Sequence, residues 1–203
     1  MIRSQIIALI EASIDLKRAL LEDSVLLGQV QHLAEVCLAS LKVGGKIIFA
    51  GNGGSFADAQ HLSSEFTSRF LFDRAPLPSV VLCANNSSIS AIGNDYGYEF
   101  VFARELEALA RPEDVFIAIS TSGNSENILA AVLTARKKGV QTVAWTGKSG
   151  GKLQKISECI RIPSNETARI QECHILIGHI VCELVEAAYF NTIPILQGKS
   201  SDK

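Results

Sequence analysis

The 203-residue chain contains no block of like charges, no C-x-x-C pair, no internal repeat and no low-complexity segment. Each absence removes a class of function. Its 19 basic and 21 acidic residues leave a formal net charge of −2, so global electrostatics gives no support to a nucleic-acid or membrane-surface role, and attraction for an anion must be local. The five cysteines, Cys37, Cys83, Cys159, Cys173 and Cys182, are odd in number and scattered, which argues against a disulfide framework. Four of them lie in apolar helix or strand patterns, where a small hydrophobe is the ordinary reading and a reactive thiol the minor alternative. Met1-Ile2-Arg3-Ser4 opens no basic segment followed by a continuous apolar stretch, and no run reads as long enough to cross a membrane. A reducing cytoplasm is the expected setting, with neither nucleic acid nor membrane as partner.

With 47% hydrophobic residues, the chain can bury the core of one α/β domain with a helical extension. The first forty residues read as helix. Ile7, Ile10 and Ile14 recur at intervals of three and four, Asp23-Ser24 marks a break with a cap, and Leu33, Val36, Cys37 and Leu41 continue the period. A neighbouring subunit is the expected place for that apolar stripe. From Lys46 onward short apolar runs alternate with helical segments: Ile47 to Ala50, Ser79 to Cys83, Val115 to Ile119, Thr142 to Trp145 and Cys159 to Ile162. Five such runs predict a parallel, doubly wound sheet whose ligands bind at the strands' carboxyl ends, near the switch in strand order. A single unit over 1–203 is expected, with a helical oligomerisation segment at 1–43, an α/β core at 44–195 and a frayed polar tail at 196–203.

Two turns carry the first chemical signal. Gly51-Asn52-Gly53-Gly54-Ser55 and Ser120-Thr121-Ser122-Gly123-Asn124-Ser125 each follow an apolar β-branched run and lead into a helical pattern. Backbone N–H groups, hydroxyls and the positive end of a helix dipole then point at one place, which suits a phosphate. On the helix that Ser55 begins, His61 and Glu65 lie one turn apart; the bland reading is an exposed ion pair, the functional one a pair of groups reaching a sugar carbon chain. The segment from Thr167 to Phe190 is apolar nearly all round yet carries Gln171, Glu172, His174 and His179, and those that face inward need partners. Gln171 and His179 project within about 80° of each other at 100° per residue. They read either as an ordinary core histidine with a helix-start glutamine, or, with His61 and Glu65, as the nitrogen and oxygen ligands of a divalent metal such as Zn²⁺. Asn94-Asp95 after Ile92-Gly93 reads as a turn, with recognition of polyol hydroxyls as its functional alternative. Thr146-Gly147-Lys148-Ser149-Gly150-Gly151-Lys152 lacks the spacing of a nucleotide-binding P-loop.

Taken in order, Gly51 to Ser55, Asp58-Ala59-Gln60-His61 with Glu65, Gly93-Asn94-Asp95, Ser120 to Ser125, Thr146-Gly147 with Gly150-Gly151-Lys152, and Arg169-Ile170-Gln171-Glu172 with His179 resemble the bacterial phosphoheptose isomerases of the sugar isomerase (SIS) fold, over essentially the whole chain. The resemblance implies a three-layer α/β/α flavodoxin-like subunit with a five-stranded parallel sheet, a homotetramer with active sites where subunits meet, and conversion of sedoheptulose 7-phosphate to D-glycero-D-manno-heptose 7-phosphate, the first step toward activated heptose for lipopolysaccharide or other surface glycans. It implies substrate contacts from Asn52, Gly53, Gly54, Ser55, Glu65, Asn94, Asp95, Ser120, Thr121, Ser122, Ser125 and Gln171. It also implies an acid/base pair of Glu65 and His179, and one zinc per subunit held by His61, Glu65, Gln171 and His179. Some relatives have an aspartate where this chain has Ala168. Two rival readings stay open: a non-catalytic SIS protein that binds the bacterial replication initiator, and an isomerase of another phosphosugar.

Overall fold

The computed structural model describes residues 2–191; the expected tail at 196–203 lies outside them. The apolar runs form β1 (Ile47–Gly51), β2 (Ser79–Val81), β3 (Val115–Ile119), β4 (Gln141–Thr146) and β5 (Glu158–Arg161), all parallel, in the order β2-β1-β3-β4-β5. Side chains alternate across this sheet, as strand geometry demands. Ile47, Phe49, Ile117, Ile119, Trp145 and Ile160 enter one core, while Ile48, Ala50, Phe116, Ala118, Ala144 and Cys159 enter the other. Because both faces are covered, the strands read as unbroken apolar runs. Strand β2 is shorter than expected. Cys83 adopts φ +65° and donates its backbone N–H to the Glu105 carboxylate, so that amide leaves the ladder.

The helices on the first face are α2 (Ser24–Lys42), α3 (Gly54–Thr67) and α7 (Thr167–Tyr189), with α1 (Ile2–Glu22) packed beyond them; α4 (Asn86–Tyr96), α5 (Val101–Leu109) and α6 (Glu126–Lys137) serve the other. Asp23 separates α1 from α2, its carboxylate accepting the N–H groups of Val25 (3.1 Å) and Leu26 (3.0 Å) as an N-cap. The stripe of α2, including Leu26, Leu33, Cys37 and Leu41, is buried within the subunit, which corrects the expectation that a neighbour covers it. By length and composition α2 is also the one helix among the described residues that could cross a membrane; its buried face identifies it as a core helix. Helix α1 keeps Ile2, Ile6, Ile7, Leu9, Ile10 and Ile14 exposed. All five cysteines are free and buried.

A second correction concerns Asn94 and Asp95, which lie inside α4. Asn85 caps that helix through Ser87 N–H (3.0 Å) and Gly97, at φ +99°, ends it. The turn-forming residues between them are carried in a helix with no buried residue.

His174 on α7 is completely buried, with Nε2 3.3 Å from the Thr146 carbonyl oxygen. A ring nitrogen facing a carbonyl carries the proton, and burial disfavours the charged ring, so the imidazole is the neutral Nε2–H form with Nδ1 bare. Burial pushes its pKa from 6.5 down to about 4. The unfolded imidazole protonates below about 6.5 while the folded one resists, so the stability it holds above that pH drains as pH falls toward 4. The shift corresponds to about 3 kcal/mol. In urea unfolding at pH 7 and pH 4.5, His174→Gln should lose less stability on acidification than the parent chain; equal losses would refute the assignment.

Candidate active site

The two glycine-serine turns follow β1 and β3, neighbours whose last residues, Gly51 and Ile119, are paired. In the order β2-β1-β3-β4-β5 this is where the connections depart to opposite sides, the switch point at which open α/β sheets bind ligands. Helix α3 begins at Gly53 (φ +54°) and α6 at Ser125, and neither N-cap residue makes a side-chain capping bond, unlike Asp23 of α2 and Asn85 of α4. On α3 the Ser55 and Phe56 N–H groups donate to the Asn52 and Gly53 carbonyls, and on α6 the Ile128 N–H donates to Asn127 Oδ1, so an anion at these starts would meet the Gly54 amide of α3 and the Glu126 and Asn127 amides of α6. Ser120 and Ser125 exchange a 3.0 Å hydroxyl hydrogen bond across the mouth of the second turn. Thr121 and Ser122 line a polar cavity of about 240 Å³ with Asn124, Lys148, Ser164 and Thr167.

The first turn is fixed by a reciprocal amide pair. Asn52 Nδ2 donates to Asn127 Oδ1 and Asn127 Nδ2 to Asn52 Oδ1, both at 2.9 Å. Tyr98 Oη adds a 3.3 Å bond to Asn52 Oδ1, and with Asn52, Gly53 and Cys83 it lines a smaller cavity of about 140 Å³.

Helices α3 and α7 lie side by side and run the same way. A Cβ on Gly54 would fall 2.6 Å from Gln171 Nε2, and one on Gly178 would fall 2.5 Å from the Leu62 methyls. The contacts therefore advance together along both helices, and the absent side chain at Gly178 lets Leu62 seat against α7. At the same level, the ligand atoms of His61, Glu65 and His179 converge to within 4.8 Å of one another. The two Nε2 atoms are 2.8 Å apart, and His61 Nε2 is 3.3 Å from Glu65 Oε1. Phe70 stacks on His179, with ring centroids 5.7 Å apart and planes inclined by 22°.

Two imidazoles and a carboxylate are donors that suit a borderline cation such as Zn²⁺. The 2.8 Å between the imidazole nitrogens is a hydrogen-bond distance, while two nitrogens around one tetrahedral zinc lie about 3.4 Å apart at Zn–N distances near 2.05 Å. The donor set fits a metal after an opening of roughly half an ångström, and as it stands one imidazole donates a proton to the other. Gln171 lies at the other end of the helix pair, about 10 Å along the axis from His61 at 1.5 Å per residue. Its amide rests against Gly54, beside the first turn.

The SIS domain family model matches residues 12–147. The phosphoheptose isomerase of Aneurinibacillus thermoaerophilus is 51% identical over 182 residues, which span 89% of this chain and 92% of that protein. The structure of the phosphoheptose isomerase from Neisseria gonorrhoeae superposes with a TM-score of 0.85 at 37% identity, covering 92% of this chain and all of that one; the enzyme from Francisella tularensis gives 0.85 at 35%, covering 91% and 98%. This chain belongs to the phosphoheptose isomerases of the SIS domain family. The fold expected of that family, a five-stranded parallel sheet between helices, is the fold found.

Of the residues expected in a phosphoheptose isomerase site, Asn52, Gly53, Gly54, Ser55, Ser120, Thr121, Ser122 and Ser125 lie on the two turns, and His61, Glu65 and His179 form one cluster. Asn94 and Asp95 are exposed on α4, bonded to each other at 2.8 Å, and line neither cavity. Ala168 is exposed at the start of α7. Asn127, Tyr98 and Phe70 were not found from sequence. The only sequence signal for Asn127 is an amide two residues past the serine turn, and its partner is 75 residues away.

Proposed function

We propose that the chain interconverts sedoheptulose 7-phosphate and D-glycero-D-manno-heptose 7-phosphate, the aldose-ketose isomerisation that opens activated heptose synthesis. The observation that carries this reading is the convergence of Glu65 and His179 on one helix pair, whose other end lies at two anion-ready turns. Ser55, Ser120, Thr121, Ser122 and Ser125 hold the phosphate with the α3 and α6 amides. Gln171 and the Asn52 to Gly54 backbone meet the middle of the sugar.

The chemistry is a net shift of hydrogen between C1 and C2. Glu65 removes a proton from C1 of the ketose, the electron pair becomes the C1=C2 bond of an enediol, and the C2 oxygen takes up a proton from His179. His179 carries the proton from the C1 hydroxyl as that oxygen becomes the aldehyde, and Glu65 returns a proton to C2. His61, Glu65 and His179 would hold zinc, which when bound would polarise the carbonyl and stabilise negative charge on the enediol oxygens; Gln171, whose amide rests against Gly54, would have to turn its side chain toward the cluster to serve as the fourth donor. The exposed isoleucines of α1 supply an apolar face for a homotetramer, and five free buried thiols suit a reducing cytoplasm.

The purified protein should form aldoheptose 7-phosphate from sedoheptulose 7-phosphate, lose that activity to a chelator and recover it with zinc. No conversion of this sugar alongside conversion of another in a phosphosugar panel would overturn the substrate. Full activity in protein shown by metal analysis to be zinc-free would overturn the metal.

A further inference from the structure

Glu186 lies on α7 seven residues beyond His179, and Arg74 lies in the segment that leads from α3 to β2. Their side chains are 2% and 3% exposed and form an ion pair of 2.8 Å. The Arg74 fork also donates from Nη2 to the carbonyl oxygen of Glu65 (2.6 Å) and from Nη1 to those of Phe66 (2.7 Å) and Ser68 (3.0 Å). It thus satisfies carbonyls that the last turn of α3 leaves without helical partners. Glu186 uses Oε1 and Oε2 to accept the backbone N–H groups of Phe70 (2.9 Å) and Leu71 (2.8 Å). Phe70 is the ring stacked on His179.

A buried ion pair is weak support for stability, since apolar side chains of similar volume often do as well. Its geometry is specific, because the rigid guanidinium fork can hold several carbonyls and a carboxylate together where an ammonium cannot. One arm of the pair ends on the backbone of Glu65 and the other on the residue that sets the His179 ring.

We infer that Arg74 and Glu186 are positioning residues that hold Glu65 and His179 in register across the α3–α7 pair. The inference rests on reading those two groups as the proton-transfer pair. Proton transfer tolerates little misplacement, and an error near 1 Å costs about 100-fold. The phosphate turns lie at the far end of the helices, so substrate affinity should be spared.

Steady-state kinetics with sedoheptulose 7-phosphate and thermal unfolding would test this on Arg74→Lys, on the double variant Arg74→Met/Glu186→Leu and on Phe70→Leu. Arg74→Lys should lose kcat by about 10-fold or more with KM within about twofold. The double variant leaves no unpaired buried charge but frees the Phe70 and Leu71 N–H groups and the α3 carbonyls, so it should unfold at a lower temperature than the parent, and below that temperature kcat should stay low. Phe70→Leu keeps the amide that Glu186 binds and removes only the ring, so it is expected to fold and to lose kcat alone; it decides the matter should the double variant not fold. Parental kcat in a folded double variant or in Phe70→Leu, or a rise in KM at unchanged kcat, would overturn the inference. Glu65→Gln assayed beside them separates the two readings: activity surviving there would sink the proton-transfer assignment itself.

Discussion

Glu65→Gln is expected to cut kcat by about 10²- to 10⁴-fold, the usual worth of a positioned general base, while phosphosugar binding persists. The substitution keeps volume and hydrogen-bonding reach but removes the carboxylate proposed to accept the carbon-bound proton. The proposed phosphate anchor is the pair of serine turns, a separate part of the site, so a calorimetric titration with sedoheptulose 7-phosphate should still show a complex. Solvent-hydrogen exchange at C1, followed by NMR, gives the sharper readout. It should vanish in the variant if Glu65 performs the abstraction, and exchange at the parental rate would show that another group does so.

The second large effect is expected at Gly123. This residue sits at φ +65°, and a Cβ there would lie 2.2 Å from the Gly150 carbonyl oxygen and 3.0 Å from Gly151 N. Gly123→Ala therefore meets both a backbone penalty and a collision with main chain that cannot rotate away. Left-handed conformation in a non-glycine residue costs about 1–3 kcal/mol, and displacement of the 147–151 loop adds to it. Unfolding should fall by about 5–10 °C, from 2–4 °C per kcal/mol in a chain of this size. KM should rise, because the same shift parts Ser120 from Ser125. Gly139 supplies the control: it has φ +72° with nothing within 4 Å of its would-be Cβ. Gly139→Ala should show the backbone penalty alone, and an equal loss of stability in both variants would remove the steric part of the argument.

The two variants probe features that differ in how far they could be read from sequence. The strands were legible because a sheet covered on both faces must be apolar at every position, as Ile47–Gly51 and Val115–Ile119 are. The serine turns were legible because loop and helix start are contiguous in the chain. Within the cluster, the spacing of His61 and Glu65 showed that they share a helix face, but nothing local revealed that His179, 118 residues away, would come within 2.8 Å. Arg74 and Glu186 are separated by 112 residues, and a lone arginine in a loop carries no local mark of burial. Asn94-Asp95 misled for the opposite reason. Turn-forming residues were weighed by type, whereas the Asn85 cap and the Gly97 terminator decided that the backbone between them is helical.

The missing side-chain caps on α3 and α6 have a consequence for selectivity. Where α2 uses a carboxylate and α4 an amide at the first turn, these two helices make no side-chain cap, and the proposed function puts the substrate's phosphate there. A sugar without that group would do more than bind weakly. It would leave the Gly54, Glu126 and Asn127 amides without an anion, at the end of the helix pair opposite the proton-transfer cluster, so discrimination against unphosphorylated sugars is set far from the carbons that react.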